Sequence, residues 1–400
     1  MVKLKIRPYV LKRFRFLIAL IAFSATAGAQ HTVSITITEA PALHRQEQFF
    51  ITGIFNRWNP EDAACAMKER EPGKYEITLK NIPAGLFEYK FTRGGWTTLE
   101  ATAAGRLVAP RKAVITRDTA IECRIAAWRD DFPASTASDR VHLLDSAFYI
   151  PQLNQHRRIW IYLPEGYDTG KKRYPVLYMH DGQDLFDEAT SAGRLGPLEW
   201  GVDEVMDSSQ HPCIVVAIAH HEDKAGRQRE YYVHPNPNFP VVYGKEYLEF
   251  IVKDLKPFID KKFRTLPGKT TTWMAGGSMG GLITLYAGLM YPDVFGSLGV
   301  LSPSIWQDYG NSIAAIENIG GKKKAIRQQH YYFYAGDNEN RIKPDGSRVQ
   351  MHTDVEAAAR LLKEKANPAM QVVIYPTGRH GAWYWRLAFP ALYRWISGQQ

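Results

Sequence analysis

The stretch Gly276-Gly277-Ser278-Met279-Gly280 constrains this chain more than any other. The apolar run Thr271-Thr272-Trp273-Met274-Ala275 precedes it and reads as a strand. Residues 281–289 follow with a helix-like pattern. A strand that enters a helix through G-x-S-x-G turns too sharply for side chains on either flank, and Gly276 and Gly280 remove them. Ser278 is then expected in a strained backbone conformation with its hydroxyl exposed. The helix N-terminus beneath it favours developing negative charge. A Gly-rich helix start capped by a serine is the plainer alternative, and the preceding strand argues against it.

An activated serine needs a general base, and the base needs an orienting acid. On an α/β sheet these follow the serine in the order acid, then histidine. Three histidines come later: His330, His352 and His380. His330 opens a predicted strand and His352 a predicted helix. His380 lies in Pro376-Thr377-Gly378-Arg379-His380-Gly381, a loop after the last predicted strand, where the base must stand. The acid is expected after the preceding strand, in Gly336-Asp337-Asn338-Glu339-Asn340, where Asp337 and Glu339 both qualify. Two backbone N–H groups must receive the oxyanion. One is expected from Met279. The other is expected from the loop His180-Asp181-Gly182-Gln183, with the Gln183 amide as candidate. His180 itself reads as structural or substrate-facing.

The rest of the chain sets this motif in context. Lys3, Lys5, Arg7, Lys12, Arg13 and Arg15 precede any acidic residue and account for most of the formal charge of +9. The remaining 44 basic residues meet 41 acidic ones, which does not suggest a nucleic-acid binder. The early cations lead into the apolar run of residues 16–23, and Ala27-Gly28-Ala29 resembles a cleavage site. The apolar run is too short to span a bilayer, so residues 1–29 read as an export signal and the mature protein as periplasmic or secreted, without stable membrane insertion. Residues 30–128 read as an all-β sandwich of short alternating strands, residues 129–140 as a linker, and residues 141–400 as strands alternating with helices around a mainly parallel sheet. Strands are predicted at 158–163, 175–179, 214–219, 271–275, 298–301, 330–335 and 371–375, with helices at 245–262 and 353–366. Cys65, Cys123 and Cys213 match no metal motif. Cys65 and Cys123 could pair in an oxidising compartment or stay as buried thiols. His220-His221-Glu222-Asp223 reads as a loop, and no metal or cofactor is expected.

Residues 141–400 resemble the α/β-hydrolase esterases that include enterochelin esterases, esterase D, feruloyl and acetyl-xylan esterases and the mycolyltransferases. The matching pieces are residues 174–186, the elbow at 276–281, Leu301-Ser302-Pro303-Ser304-Ile305-Trp306 and Gly378-Arg379-His380. The resemblance implies an α/β-hydrolase fold. It places the acid in a Gly-x-x-Glu-like loop, which favours Glu339 over Asp337, and it supports Gln183 and Met279 as oxyanion donors. Trp200, Trp306, Trp383 and the pair Tyr231-Tyr232 are expected on loops after strands, where aromatic walls suit a phenolic or sugar ester.

The earlier residues carry a second resemblance. Gly53-Ile54-Phe55-Asn56-Arg57-Trp58, Tyr89-Lys90-Phe91 and Gly94-Gly95-Trp96 are similar to the immunoglobulin-like early-set glycogen- and starch-binding modules. By that pattern Trp58 and Trp96 would stack on sugars and Lys90 would bond a hydroxyl, so a polysaccharide partner is implied. The later Asn of the pattern is absent at Ala109-Pro110-Arg111-Lys112. The alternative is a sandwich that docks on the hydrolase with both tryptophans in the contact. The combined expectation is an exported serine esterase acting through a Ser-His-Glu triad on a small-molecule or carbohydrate-linked acetyl or feruloyl ester. The rivals are a siderophore trilactone esterase, an acyltransferase and a non-catalytic glycan-binding protein.

Overall fold

The structure is a computed structural model that describes residues 30–103, 108–132, 135–191, 198–342 and 346–398. The expected export signal lies outside the described residues. Among those described, no helix is long and apolar enough to cross a membrane.

The first part of the chain forms β1 (Gln30–Glu39), β2 (Phe50–Gly53), β3 (Lys68–Glu71), β4 (Lys74–Pro83), β5 (Gly85–Thr92), β6 (Glu100–Ala101), β7 (Arg111–Ile115), β8 (Thr119–Arg124) and β9 (Ala127–Trp128). One sheet runs β3-β4-β1-β8 and another β2-β5-β7. Strict alternation drives this arrangement: Val33, Ile35 and Ile37 of β1 are fully buried while their neighbours are not. The core between the sheets is aromatic, with Phe49 stacked on Tyr75 at 4.1 Å and edge-on to Trp128 at 4.7 Å. Cys65 and Cys123 are free thiols with separate partners: Cys65 donates to Asp62, Cys123 to the Thr36 carbonyl.

The second part adds β10 (Val141–Ile150), β11 (Gln155–Tyr162), β12 (Val176–His180), β13 (Ile214–Ile218), β14 (Thr272–Gly277), β15 (Ser297–Leu301), β16 (His330–Gly336), the hairpin β17 (Asn340–Ile342) and β18 (Arg348–Gln350), and β19 (Ala369–Tyr375). Eight of these make one sheet in the order β10-β11-β13-β12-β14-β15-β16-β19. Pairing is antiparallel for β10-β11 and β11-β13 and parallel from β13 onward. The central strands are buried throughout, as a sheet covered by helices on both faces requires. This is an α/β-hydrolase fold with a β-rich region before it.

Two segments differ from the sequence expectation for physical reasons. The single helix expected at 245–262 is Gly244–Phe250 and Lys256–Lys262 joined by a π-helical turn at Ile251–Leu255. Pro257 has no N–H to continue the α-helical ladder, and the wide turn accommodates the missing bond. The segment expected as a linker is strapped down where it is described. Arg129 is buried against Glu188, the Ser135 hydroxyl and the Thr136 N–H donate to Asp187, and the Ser138 N–H donates to buried Asp203.

Candidate active site

Strand β14 ends at Gly277, and the helix Met279–Met290 starts one residue after Ser278. Ser278 itself has φ 59° and ψ −120°, a conformation that costs roughly 1–3 kcal/mol for a residue with a Cβ. The surroundings hold it there. Its N–H donates to the Leu301 carbonyl at 3.0 Å, and its own carbonyl accepts from the Ser304 N–H at 3.1 Å. A Cβ on Gly276 would stand 2.6 Å from the Gly280 carbonyl oxygen, so strand and helix close here because position 276 is glycine, while a Cβ on Gly280 would press on Asp181 Oδ2 at 3.0 Å.

His380 Nε2 lies 2.9 Å from Ser278 Oγ, and His380 Nδ1 lies 3.0 Å from Glu339 Oε2. A carboxylate can only accept here, so Nδ1 carries the proton and Nε2 is free to accept from the serine. Glu339 is fully buried. Its Oε1 accepts from the Ser302 hydroxyl at 2.7 Å and the Gly336 N–H at 2.8 Å. The alternative acid, Asp337, is half-buried, and its N–H bonds the Tyr375 carbonyl. The acid loop and histidine loop meet through two glycines. A Cβ on Gly378 would stand 2.7 Å from the Gly336 Cα, and the Asn338 N–H donates to the Gly378 carbonyl at 2.9 Å. Of the other histidines, His330 stands exposed at the opposite end of its strand and His352 lies on the helix Met351–Ala366.

Met279 opens its helix, so its N–H has no intrahelical carbonyl to bond. Gln183 lies in the short 3-10 turn Gly182–Asp184. Its side-chain Oε1 accepts from the His220 N–H at 3.1 Å, and its carbonyl accepts from Thr190 Oγ1 at 2.7 Å. Asp181, at φ 59°, starts this turn and is clamped by Arg227 through two bonds of 2.6 and 2.8 Å. Burial alone would raise the Asp181 carboxyl. The Arg227 charge and its bonds outweigh burial and hold it below its usual range. His180 is buried behind the elbow, bonded to the Tyr247 hydroxyl at 2.9 Å, and burial pushes its pKa down to about 4.

Several residues expected to wall a cleft are instead buried supports. Trp200 is 2% exposed and packs beneath Gly277 and against Trp385, with centroids 5.2 Å apart. Tyr231 is fully buried and donates to Asp181 from beneath the Arg227 guanidinium. Both are expected to wall the cleft from loops after strands; Trp200 is on such a segment but buried, Tyr231 ends a helix, and both support the turns around the serine. Trp306 and Trp383 remain half-buried. Lys90, expected to meet a sugar, is 1% exposed, and burial lowers its pKa to about 8 against the raising influence of Glu100 and Glu188. The face of β5 that carries it is covered by the hydrolase. Trp96 packs with Leu99, Leu198 and Trp383 in a small apolar cluster that bridges the two domains. Trp58 stays half-buried at the turn after β2.

Four side chains around the site were not singled out in the sequence. Ser304 Oγ is 3.2 Å from Ser278 Oγ. Ser302 Oγ links Glu339 to the indole N–H of Trp385 at 3.0 Å, and that indole stands edge-on to the His380 ring at 5.0 Å. Ser302 and Ser304 lie in the Leu301–Trp306 run of the family resemblance. Glu88, from the sandwich, meets the residue beside His380, and no sequence signal marks a contact between residues so far apart. Elsewhere Glu199, Asp203 and Glu204 place carboxylate oxygens within 4.8 Å of one another, with Arg386 paired to Glu199 and Glu204. Arg386 already brings positive charge to that cluster. At 220–223, His221 Nδ1 is occupied by the Asp223 N–H.

Comparisons with known proteins identify the family of the chain. A family profile described as Putative esterase matches residues 150–396. The uncharacterized protein YbbA of Bacillus subtilis is 27% identical over 216 residues, 52% of this chain and 79% of that one. An endo-1,4-beta-xylanase/feruloyl esterase of Xylanibacter ruminicola is 32% identical over 146 residues, 36% of this chain and 19% of that one. A crystal structure of the enterobactin esterase FES from Shigella flexneri, in the presence of enterobactin, has a TM-score of 0.51 at 16% identity. It covers 87% of this chain and 88% of its own, so the likeness of fold extends over both domains. With the profile spanning most of the catalytic domain, the chain belongs to the Putative esterase family of α/β hydrolases and is a carboxylic ester hydrolase.

Proposed function

We propose that the protein is an exported serine esterase that works through Ser278, His380 and Glu339 and an acyl-enzyme. The observation that carries this reading is the continuous line of bonds from buried Glu339 through His380 to Ser278 Oγ, at 3.0 and 2.9 Å. His380 Nε2 takes the hydroxyl proton as Ser278 Oγ attacks the ester carbonyl carbon. The oxyanion meets the N–H groups of Met279 and Gln183. The bond to the alcohol oxygen then breaks, and that oxygen takes the proton from His380. Water next attacks the acyl-serine carbonyl, giving its proton to His380. The Ser278 oxygen leaves with that proton, and the carboxylic acid is released.

The substrate reading is a carbohydrate-linked ester with an acetyl or feruloyl acyl group. Half-buried Trp306, two residues past the Ser304 that bonds Ser278, supports it, because an indole face suits a phenolic or sugar ring. The feruloyl esterase among the relatives is consistent with it. Export is supported by the basic start, apolar run and Ala27-Gly28-Ala29 of the sequence. Purified enzyme assayed on acetyl-xylan, methyl ferulate, butyryl esters and a catecholate trilactone tests the substrate. Turnover of the trilactone alone would replace this reading with the siderophore one. N-terminal sequencing of the protein from fractionated cells tests export, and a mature start at Gln30 is expected.

A further inference from the structure

Strand β5 carries Glu88 on the sandwich face that meets the hydrolase. Glu88 is 1% exposed, and its two oxygens are spent on two residues that bracket His380. Oε2 accepts from Arg379 Nη1 at 2.9 Å, and Arg379 immediately precedes His380. Oε1 accepts from the Tyr384 hydroxyl at 3.0 Å, and Tyr384 follows His380 by one helical turn. Lys112, directly opposite Glu88 on β7, reaches the same oxygen at 3.3 Å and the Tyr384 hydroxyl at 3.2 Å.

We propose that Glu88 is a positioning residue for ester hydrolysis, holding the His380 loop in register with Ser278 from outside the catalytic domain. This rests on the reading of His380 as the general base. The loop's backbone bonds lie on either side of the imidazole: the Gly378 N–H donates to the Tyr375 carbonyl and the Gly378 carbonyl accepts from the Asn338 N–H, and the Gly381 carbonyl accepts from the Tyr384 and Trp385 N–H groups. Thr377 has φ 60°, and Gly381, at φ 153°, offers no side chain to cap the helix that follows. Before His380, the loop is tied to the acid loop by the Gly378–Gly336 contact. After Gly378 the side-chain ties include those of His380 itself to Glu339 and Ser278, those of Arg379 and Tyr384 to Glu88, and the edge-on contact of His380 with the Trp385 ring. A carboxylate that bonds both Arg379 and Tyr384 fixes the chain on both sides of the imidazole. The sandwich is therefore part of the reaction machinery, and its sheet face is committed to that contact rather than to a ligand of its own.

Reaction geometry is steep in distance: a misplacement of about 1 Å can cost roughly 100-fold in rate. Glu88→Gln in the full chain is expected to lower kcat on a small chromogenic ester by about ten-fold or more, with KM changed less than about two-fold. Arg379→Gln is expected to do the same. The double variant is expected to be no slower than the slower single, because both break one contact. Melting curves establish that each variant is folded. A folded Glu88→Gln with wild-type kcat, a loss confined to KM, or losses that multiply in the double variant would each overturn the proposal. Should Glu88→Gln fail to fold, Arg379→Gln with Tyr384→Phe gives the same reading from the hydrolase side. Ser278→Ala and His380→Ala run alongside. Activity surviving in those rejects the triad, whereas their silence beside an intact Glu88→Gln rejects only the positioning role.

Discussion

Arg379 and Glu88 meet across the domain boundary at 2.9 Å, and the next residue along the chain faces Ser278. The two domains are thus joined at the reacting end of the sheet. A charge on one side of that joint can be felt as geometry on the other.

The first prediction concerns the serine and its base. Ser278→Ala and His380→Ala should each lower kcat by about four decades or more, and combining them should cost little extra because the groups act as a unit. Steady-state rates on p-nitrophenyl acetate, with circular dichroism to verify folding, measure this. A substantial rate in either folded variant rejects the assignment.

The two acids of the 336–340 loop should behave differently. Glu339 is fully buried and bonded to His380, whereas Asp337 is half-buried and its N–H bonds the Tyr375 carbonyl. Glu339→Gln should cost roughly two to four decades in kcat by favouring the wrong histidine tautomer. Asp337→Asn should leave kcat near wild type. The reverse ranking would reassign the acid.

Arg227→Met tests the turn that presents Gln183. The change leaves the Asp181 carboxylate buried with its strongest partner gone, at a cost of about 3–5 kcal/mol. Urea unfolding should show the lower midpoint, and kcat should fall with it as the turn relaxes. An unchanged midpoint would mean that Asp181 does not depend on this pair.

Asp203 gives a pH-dependent prediction with a definite sign. Burial first, and the neighbouring Glu204 second, raise its carboxyl well above the ordinary value of about 3.9. Above about pH 4 the unfolded chain loses a proton that the folded chain keeps, so the favourable contribution present at acid pH is lost as pH rises through the neutral range. Asp203→Asn removes that dependence. The melting temperature of the variant minus that of the wild type should therefore increase between pH 4 and pH 8. A difference that stays flat or falls refutes the shift.

The sandwich provides the last prediction. Lys90 is buried and Trp96 is packed in the cluster with Trp383. The full chain should migrate unretarded through gels containing starch, xylan or glucomannan, and Trp96→Ala should lower its melting temperature. Retardation that Trp58→Ala abolishes would restore a glycan site at the remaining indole.

Local order explains what could be read in advance. The central strands announce themselves as apolar runs because both faces of a covered parallel sheet are buried, and the seven predicted strands overlap β11–β16 and β19. The edge strand β10 was missed: register shifts between Leu143 and Asp145, and between Asp145 and Phe148, break its alternation. The elbow is legible because Gly276, Ser278 and Gly280 fall within five successive residues, and the features of the Gly378–His380 loop within three. Trp200 and Tyr231 were misplaced for the opposite reason. An aromatic residue after a strand looks the same whether it lines a cleft or lies beneath a turn, and only the packing around it separates the two.

By itself the sequence determined the fold class, the turn that strains Ser278, and the small set of acids and histidines able to serve it. These depend on backbone preference and on burial patterns repeated over a few residues. The residues alone leave Glu339 and Asp337 open and the family resemblance favours Glu339; only the tertiary structure placed Glu339 against His380, put Lys90 under a domain contact, and brought Glu88 to the loop of a histidine 292 positions later in the chain. Such pairings arise when separate elements are brought within bonding distance by the burial of apolar surface elsewhere, and no local pattern records them.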